Sequence, residues 1–258
     1  MKLKLNRIVI VVAVMMSLVI GGCEMNNNQE EGKTTETATS EKVTLSNRQI
    51  AILQEEGLST DYEKLTQEQQ RAIVRMEEMF KVLEDKYHVE FSYIGYKQAG
   101  VLESEQLLAY PTGGSKDDVV TLKYYKGEWQ DDYSCVAIKP YFEDYVINCL
   151  KEEYPEEDIK MSTQIDWVNA KIDYDHIDYE AIKKDVCATV VLAINDKDMK
   201  PEEYESRMNK IKTILLENHQ IYASFYTVFV NENEFDKVDG WNYLKKENKV
   251  VDYQAELK

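Results

Sequence analysis

Residues 186–194 read VCATVVLAI and residues 221–230 read IYASFYTVFV. The first run is apolar almost throughout, as a strand covered on both faces must be. The second alternates, with Tyr222, Ser224, Tyr226, Val228 and Val230 on one side, which is the two-residue period of a half-buried strand. Between them, Pro201 suits the first turn of a helix. Tyr204, Met208, Ile211 and Leu215 then recur at helical spacing. Strand, helix and strand at this spacing predict a βαβ unit, split or direct, packed on one sheet with the 186–194 strand central.

The chain before this unit reads as alternating blocks. Met161 to Trp167 predicts a strand, and Asp178 to Lys184 one or two helical turns. A helix is expected to start near Pro140, with Phe142, Val146, Cys149 and Leu150 as its apolar stripe and Tyr154-Pro155 as its end. Val89 to Tyr93, Leu107 to Tyr110 and Val119 to Tyr125 predict an antiparallel meander, with Lys126-Gly127 turning the chain into Trp129. Two helices precede it. Ser46 with Gln49, and Thr66 with Gln69, form capping boxes in which side chain and backbone satisfy each other at a helix start. Gly57 stops the first helix, and Ile73, Met76, Phe80, Leu83 and Tyr87 give the second its core-facing stripe. The fold class predicted is α+β: a largely antiparallel sheet with helices packed on one face, after a disordered N-terminal tether. The folded region is expected over residues 45–258, with a possible sub-boundary near 168–177, where Asn169 to Asp175 is polar.

The N-terminus is of a different kind. Lys2, Lys4 and Arg7 precede an apolar run, IVIVVAVMMSLVI, over residues 8–20, and then come Gly21, Gly22 and Cys23. A positive start, a short apolar core and small residues before a cut make a secretory signal peptide. The run is short of the roughly 20 apolar residues that a spanning helix needs. Ile20-Gly21-Gly22-Cys23 resembles the lipobox of bacterial lipoproteins, of the Gram-positive type. That resemblance implies diacylglycerol on the Cys23 sulfur and cleavage between Gly22 and Cys23. It also implies attachment of the mature chain to the extracytoplasmic face of the cell membrane. Residues 1–22 would be the signal peptide and residues 23–44 the lipidated cysteine and its linker. Two acyl chains make such attachment durable, where one is marginal. Residues 24–44, EMNNNQEEGKTTETATSEKVT, lack the apolar side chains needed to offset ordering entropy. As a flexible coil they span roughly 25 Å.

Charge narrows the partners. The formal net charge is −17, and residues 1–22 contribute three bases and no acid. Without them, 28 basic and 48 acidic side chains leave about −20. Such a surface excludes a nucleic-acid partner, which requires clustered Lys and Arg. It leaves open a face for a cation or a cationic peptide.

Sites are sparse. Asp173-Tyr174-Asp175-His176-Ile177-Asp178 is the most site-like cluster, because carboxylates at alternate positions beside a histidine can hold a divalent cation. Asp173, Asp175, His176 and Asp178 are the candidate ligands, although acids before a helix also serve as caps. His88 and His219 fall at helix C-termini, where an imidazolium meets the helix dipole. Cys135, Cys149 and Cys187 leave one thiol odd; Cys149 and Cys187 read as buried free thiols, with a Cys135–Cys149 bridge an open alternative. No CxxC or catalytic motif appears. Residues 112–116 (TGGSK) lack the spacing of a phosphate loop and read as a hairpin turn, and residues 195–198 (NDKD) read as a turn. The 18 tyrosines could offer an aromatic binding face, including one that stacks on cell-wall sugars. No cofactor is expected. The functional expectation is a membrane-anchored extracytoplasmic lipoprotein that binds a protein or envelope component without catalysis. The alternatives are a small-ligand-binding lipoprotein of a transport system and a tethered envelope enzyme.

Overall fold

A computed structural model describes residues 43–100, 103–195, 197, 200–238 and 255–257. The expected signal peptide, Cys23 and the tether up to residue 42 lie outside the described residues, as do Asp196 and Asp198 of the 195–198 turn. The protein is α+β. Among the described residues, its strands form two four-stranded sheets.

The first half begins with α1 (Asn47–Glu55) and α2 (Gln67–Tyr87), and both predicted capping boxes are formed. Gly57 ends α1 at φ +69°, a backbone state that glycine adopts without steric cost. Four strands follow: β1 (Phe91–Lys97), β2 (Gln106–Pro111), β3 (Val120–Tyr125) and β4 (Glu128–Asp131). They pair in order as an antiparallel meander. Lys126 and Gly127 both take positive φ in the β3–β4 turn, the backbone that matches the twist of the strands they join. Phe91, Leu107, Ala109, Val120 and Leu122 point from this sheet into a core with Ile73, Met79, Phe80 and Leu83 of α2.

The second half contains α3 (Tyr133–Leu150), β5 (Ile159–Val168), α4 (Tyr179–Ile182), β6 (Val186–Asn195), α5 (Tyr204–Lys212), β7 (Ala223–Val230), α6 (Glu232–Phe235) and β8 (Ala255–Leu257). β6 is central, antiparallel to β5 and parallel to β7. Parallel neighbours need a crossover, and α5 supplies it. Val186, Ala188, Val190, Leu192 and Ile194 of β6 face a core with Phe142 and Val146 of α3 and Met208 and Ile211 of α5. The opposite face is covered at one end by α6, whose Phe235 packs on Ala193 and Val230.

The start of α3 differs from the expectation. Pro140 lies inside the helix, which begins at Tyr133. An interior proline removes one ladder bond, at a cost of about 3 kcal/mol. Tertiary packing outweighs that cost, because the added turns carry Tyr133 into the first core and Ile138 into the second. The segment 168–177 also touches both: Ile172 and Ile177 pack on the second core and Tyr174 on the first. Among the described residues, no helix is long and apolar enough to cross a membrane.

These packing relations set expected stabilities. Phe80 is fully buried, so Phe80→Ala should destabilise by about 3–5 kcal/mol. Thr66→Ala removes one cap bond and should cost about 1 kcal/mol. Denaturant midpoints of the two variants should fall in that order; equal midpoints would contradict the assignment of Phe80 to the core.

Candidate functional site

The acidic loop resolves into local bonds. The Asp175 N–H donates to Asp173 Oδ1 at 3.2 Å, and the Ala181 N–H donates to Asp178 Oδ1 at 3.3 Å as the cap of α4. His176 Nδ1 lies 3.7 Å from Asp173 Oδ2, with both side chains mostly in solvent. A cation of this class requires several oxygens converging at 2.3–2.6 Å. Among the described residues, no three His, Cys, Asp or Glu side chains are gathered in that way. Two residues of this loop reach inward: Ile177, which packs on the second core, and Tyr174, whose ring lies 5.0 Å from Tyr87 and 5.5 Å from Tyr133.

The remaining titratable clusters are occupied in holding elements together. The Asp131 carboxylate is almost fully buried, and accepts from the Tyr87 hydroxyl at 2.5 Å and from Lys86 Nζ at 2.7 Å. In the second half, Lys183 Nζ donates to the Tyr145 hydroxyl at 3.0 Å and to Glu180 at 2.7 Å. His219, at the C-cap of the helix after α5, places Nδ1 3.3 Å from the same hydroxyl. His88 caps α2 in the left-handed conformation, φ 57°. All three expected thiols are free. Cys149 and Cys187 are half-buried rather than buried, because Cys149 sits at the margin of its helix stripe and Cys187 on the non-core face of β6. Burial pushes the Cys149 thiol up to about 11, despite the opposing influence of Lys183, so it is protonated at neutral pH and a poor nucleophile.

An open cleft of about 320 Å³ lies between α1 and the start of the first sheet. One wall is α1, with Arg48, Ala51, Ile52 and Glu55; the other is the run Glu90 to Tyr93 of the chain entering β1. Tyr110, Thr112 and Lys116 complete it. α1 is fastened by Gln49, whose Nε2 donates to the Ile73 carbonyl at 3.2 Å. The Arg48 guanidinium lies 4.5 Å from the centre of the Phe80 ring and donates to Glu84 Oε1 at 2.6 Å. The same oxygen accepts from the Phe91 N–H at 3.2 Å, so one carboxylate joins α1, α2 and β1. The Tyr93 hydroxyl donates to Glu56 at 2.8 Å, and burial followed by that bond raises its pKa. Ser92 and Thr112 share a hydroxyl–hydroxyl bond of 2.9 Å, and Lys116 Nζ lies 5.9 Å from the centre of the Tyr110 ring. Glu55 and Glu90 are exposed and have no ion-pair partner among the described residues. The site is thus an open groove with aromatic walls and, among the described residues, two carboxylates without ion-pair partners.

Of the cleft residues, the sequence drew attention only to Thr112 and Lys116 as a candidate site, and these were read as part of a hairpin turn rather than a site. The cleft residues come from three separated segments with no motif spacing. The available signal was indirect: the capping box at Ser46 that places α1, and the proline-glycine turn that brings Thr112 beside Ser92.

No protein-family model matches the chain, and no curated protein matches it. Among solved structures, the chain is similar to a DUF5037 family protein from Ruminococcus gnavus ATCC 29149. The similarity covers 63% of this chain and 78% of that one, at 13% identity and a TM-score of 0.38.

The shifted thiol makes a pH prediction. Folded Cys149 keeps its proton up to about 11, against an ordinary value of 9.0. The folded chain therefore binds the extra proton between those values. Its contribution to stability is complete below the lower value and is lost as pH rises toward the upper one. Denaturation midpoints should decline across that window, and less steeply in Cys149→Ala. An identical decline in both proteins would remove Cys149 as the cause.

Proposed function

We propose that this protein is a lipid-anchored lipoprotein on the extracytoplasmic face of the cell membrane, and that its α+β domain binds a protein or envelope component without catalysis. The observation that carries the reading is the N-terminal order: three bases, a 13-residue apolar run over residues 8–20, then Ile20-Gly21-Gly22-Cys23. A run of that length suits export better than spanning. Diacylglycerol on Cys23 would hold the chain at the membrane, and residues 24–44 would give the domain reach. The domain supports a binding role in two ways. Its nucleophile and histidine candidates are protonated, exposed or engaged in structural bonds, whereas its cleft is open and carries uncommitted polar groups.

Intact-mass measurement on protein from membranes tests the anchor. The mature chain should lack residues 1–22 and carry diacylglycerol, and Cys23→Ala should lose both the lipid and membrane retention. A wild-type chain that keeps residues 1–22, or carries no lipid, would overturn the proposal.

A further inference from the structure

The cleft is bordered by main-chain groups as well as side chains. Among the described residues, β1 is an edge strand, paired with β2 on one side only. In an antiparallel ladder, alternate residues turn both N–H and C=O toward the neighbour, and the residues between them turn both groups outward. Two observations set the phase here. The Thr112 N–H donates to the Glu90 carbonyl at 2.8 Å, so Glu90 and Ser92 face β2. Phe91 lies opposite Pro111, which has no N–H to give, and sends its own N–H the other way, to Glu84. Phe91 and Tyr93 therefore face outward, toward the cleft. The Glu84 carboxylate occupies the Phe91 N–H. The Phe91 carbonyl and the Tyr93 N–H and carbonyl make no main-chain bond to α1 or any other described element.

Edges of this kind are normally blunted by bulges, charges or prolines. The β1 ladder does shift between Tyr93 and Gly95, which bends the strand beyond that point. The open stretch is therefore short and ends in front of α1. The charges around it are of one dominant sign. Glu55 on α1 and Glu90 on the opposite wall border it, and the cations of the lining are Lys116 and Arg48, of which Arg48 is already paired with Glu84. The whole chain, at −17, adds a field of the same sign.

We infer that the cleft between α1 and β1 accepts an extended, basic segment of a partner polypeptide as an added strand. The inference rests on the binding role proposed above and names the chemistry of the partner. Main-chain bonds to the outward N–H and carbonyl of Tyr93 hold the segment, and lysine or arginine side chains meet Glu55 and Glu90. A second copy of this chain is the poorer occupant, because pairing β1 with β1 would bring the two acidic rims together.

The test uses the full mature chain in detergent. The probe is a labelled octapeptide of alternating lysine and valine, compared with the same peptide N-methylated at alternate residues, which keeps the charge but cannot pair as a strand. The expected result is saturable binding of the first peptide, weaker by about ten-fold or more for the second. Hydrogen exchange at the Tyr93 amide should slow on binding. The variant E55K/E90K alters two exposed side chains and should melt as the wild type does while binding the first peptide about ten-fold more weakly. Three outcomes would overturn the inference: equal binding of both peptides, which is charge attraction alone; no saturable binding; or concentration-dependent protection of Tyr93 without peptide, which would make the occupant a second copy. Failure here with a lipidated Cys23 would leave the anchor intact, and peptide binding by an unlipidated chain would remove only the location.

Discussion

One buried carboxylate organises the junction between the two halves of the folded chain. Asp131 ends β4, accepts from Tyr87 and Lys86 at the end of α2, and accepts from the Tyr133 N–H at the start of α3. A carboxylate taken out of water is stable only where charge and hydrogen bonds replace its hydration, and here three donors do so. From that point α3 enters the second core. The ring of Tyr133 stays behind, 4.2 Å from Tyr87, and Tyr174 closes over both from the loop after β5. The acidic loop is therefore pinned by its tyrosine, while its carboxylates are used for turns and caps.

The cleft depends on the same kind of economy at Glu84. Its carboxylate neutralises Arg48 and takes the outward N–H of Phe91, so α1, α2 and β1 meet at one oxygen. Among the described residues, no strand pairs with the edge next to it, and Glu55 and Glu90 have no ion-pair partner. The acids of this chain thus fall into two groups. Among the described residues, buried acids such as Asp131 and Asp158, and the half-buried Glu84, are matched by cations and by N–H or O–H donors. Those of the rim face solvent and give the surface its negative field.

Much of the fold was legible because its signals are local. Both capping boxes, the Gly57 stop and the Lys126-Gly127 turn follow from short spacings, and the strand–helix–strand order of β6, α5 and β7 from hydrophobic periodicity, whereas the direct pairing of the two strands was left open. The misreadings have one cause, which is that burial is decided by neighbours distant in sequence. Pro140 looked like a helix start because proline favours a first turn, yet packing of Tyr133 and Ile138 extends the helix backward past it. Cys187 looked buried because its strand is apolar throughout, yet alternation puts it on the face away from the core. The division of eight strands into two sheets was not legible either, since strand patterns are alike whichever neighbour they pair with.

The sequence by itself determined the α+β class, the starts of α1 and α2, the central place of residues 186–194 and the acidic character of the chain. Each of these depends on composition or on spacings within about one or two turns of backbone, where local sterics and hydrogen bonding decide. Tertiary structure alone decided where Asp131 and Glu84 find their donors, that Tyr174 and Ile177 rather than their acidic neighbours reach inward from their loop, and that α1 stands beside an open strand edge. Those relations join residues more than thirty positions apart in most cases, as Arg48 and Glu84 or Tyr87 and Asp131 are. No local spacing encodes them, because each partner is chosen by the packing of the elements that carry it.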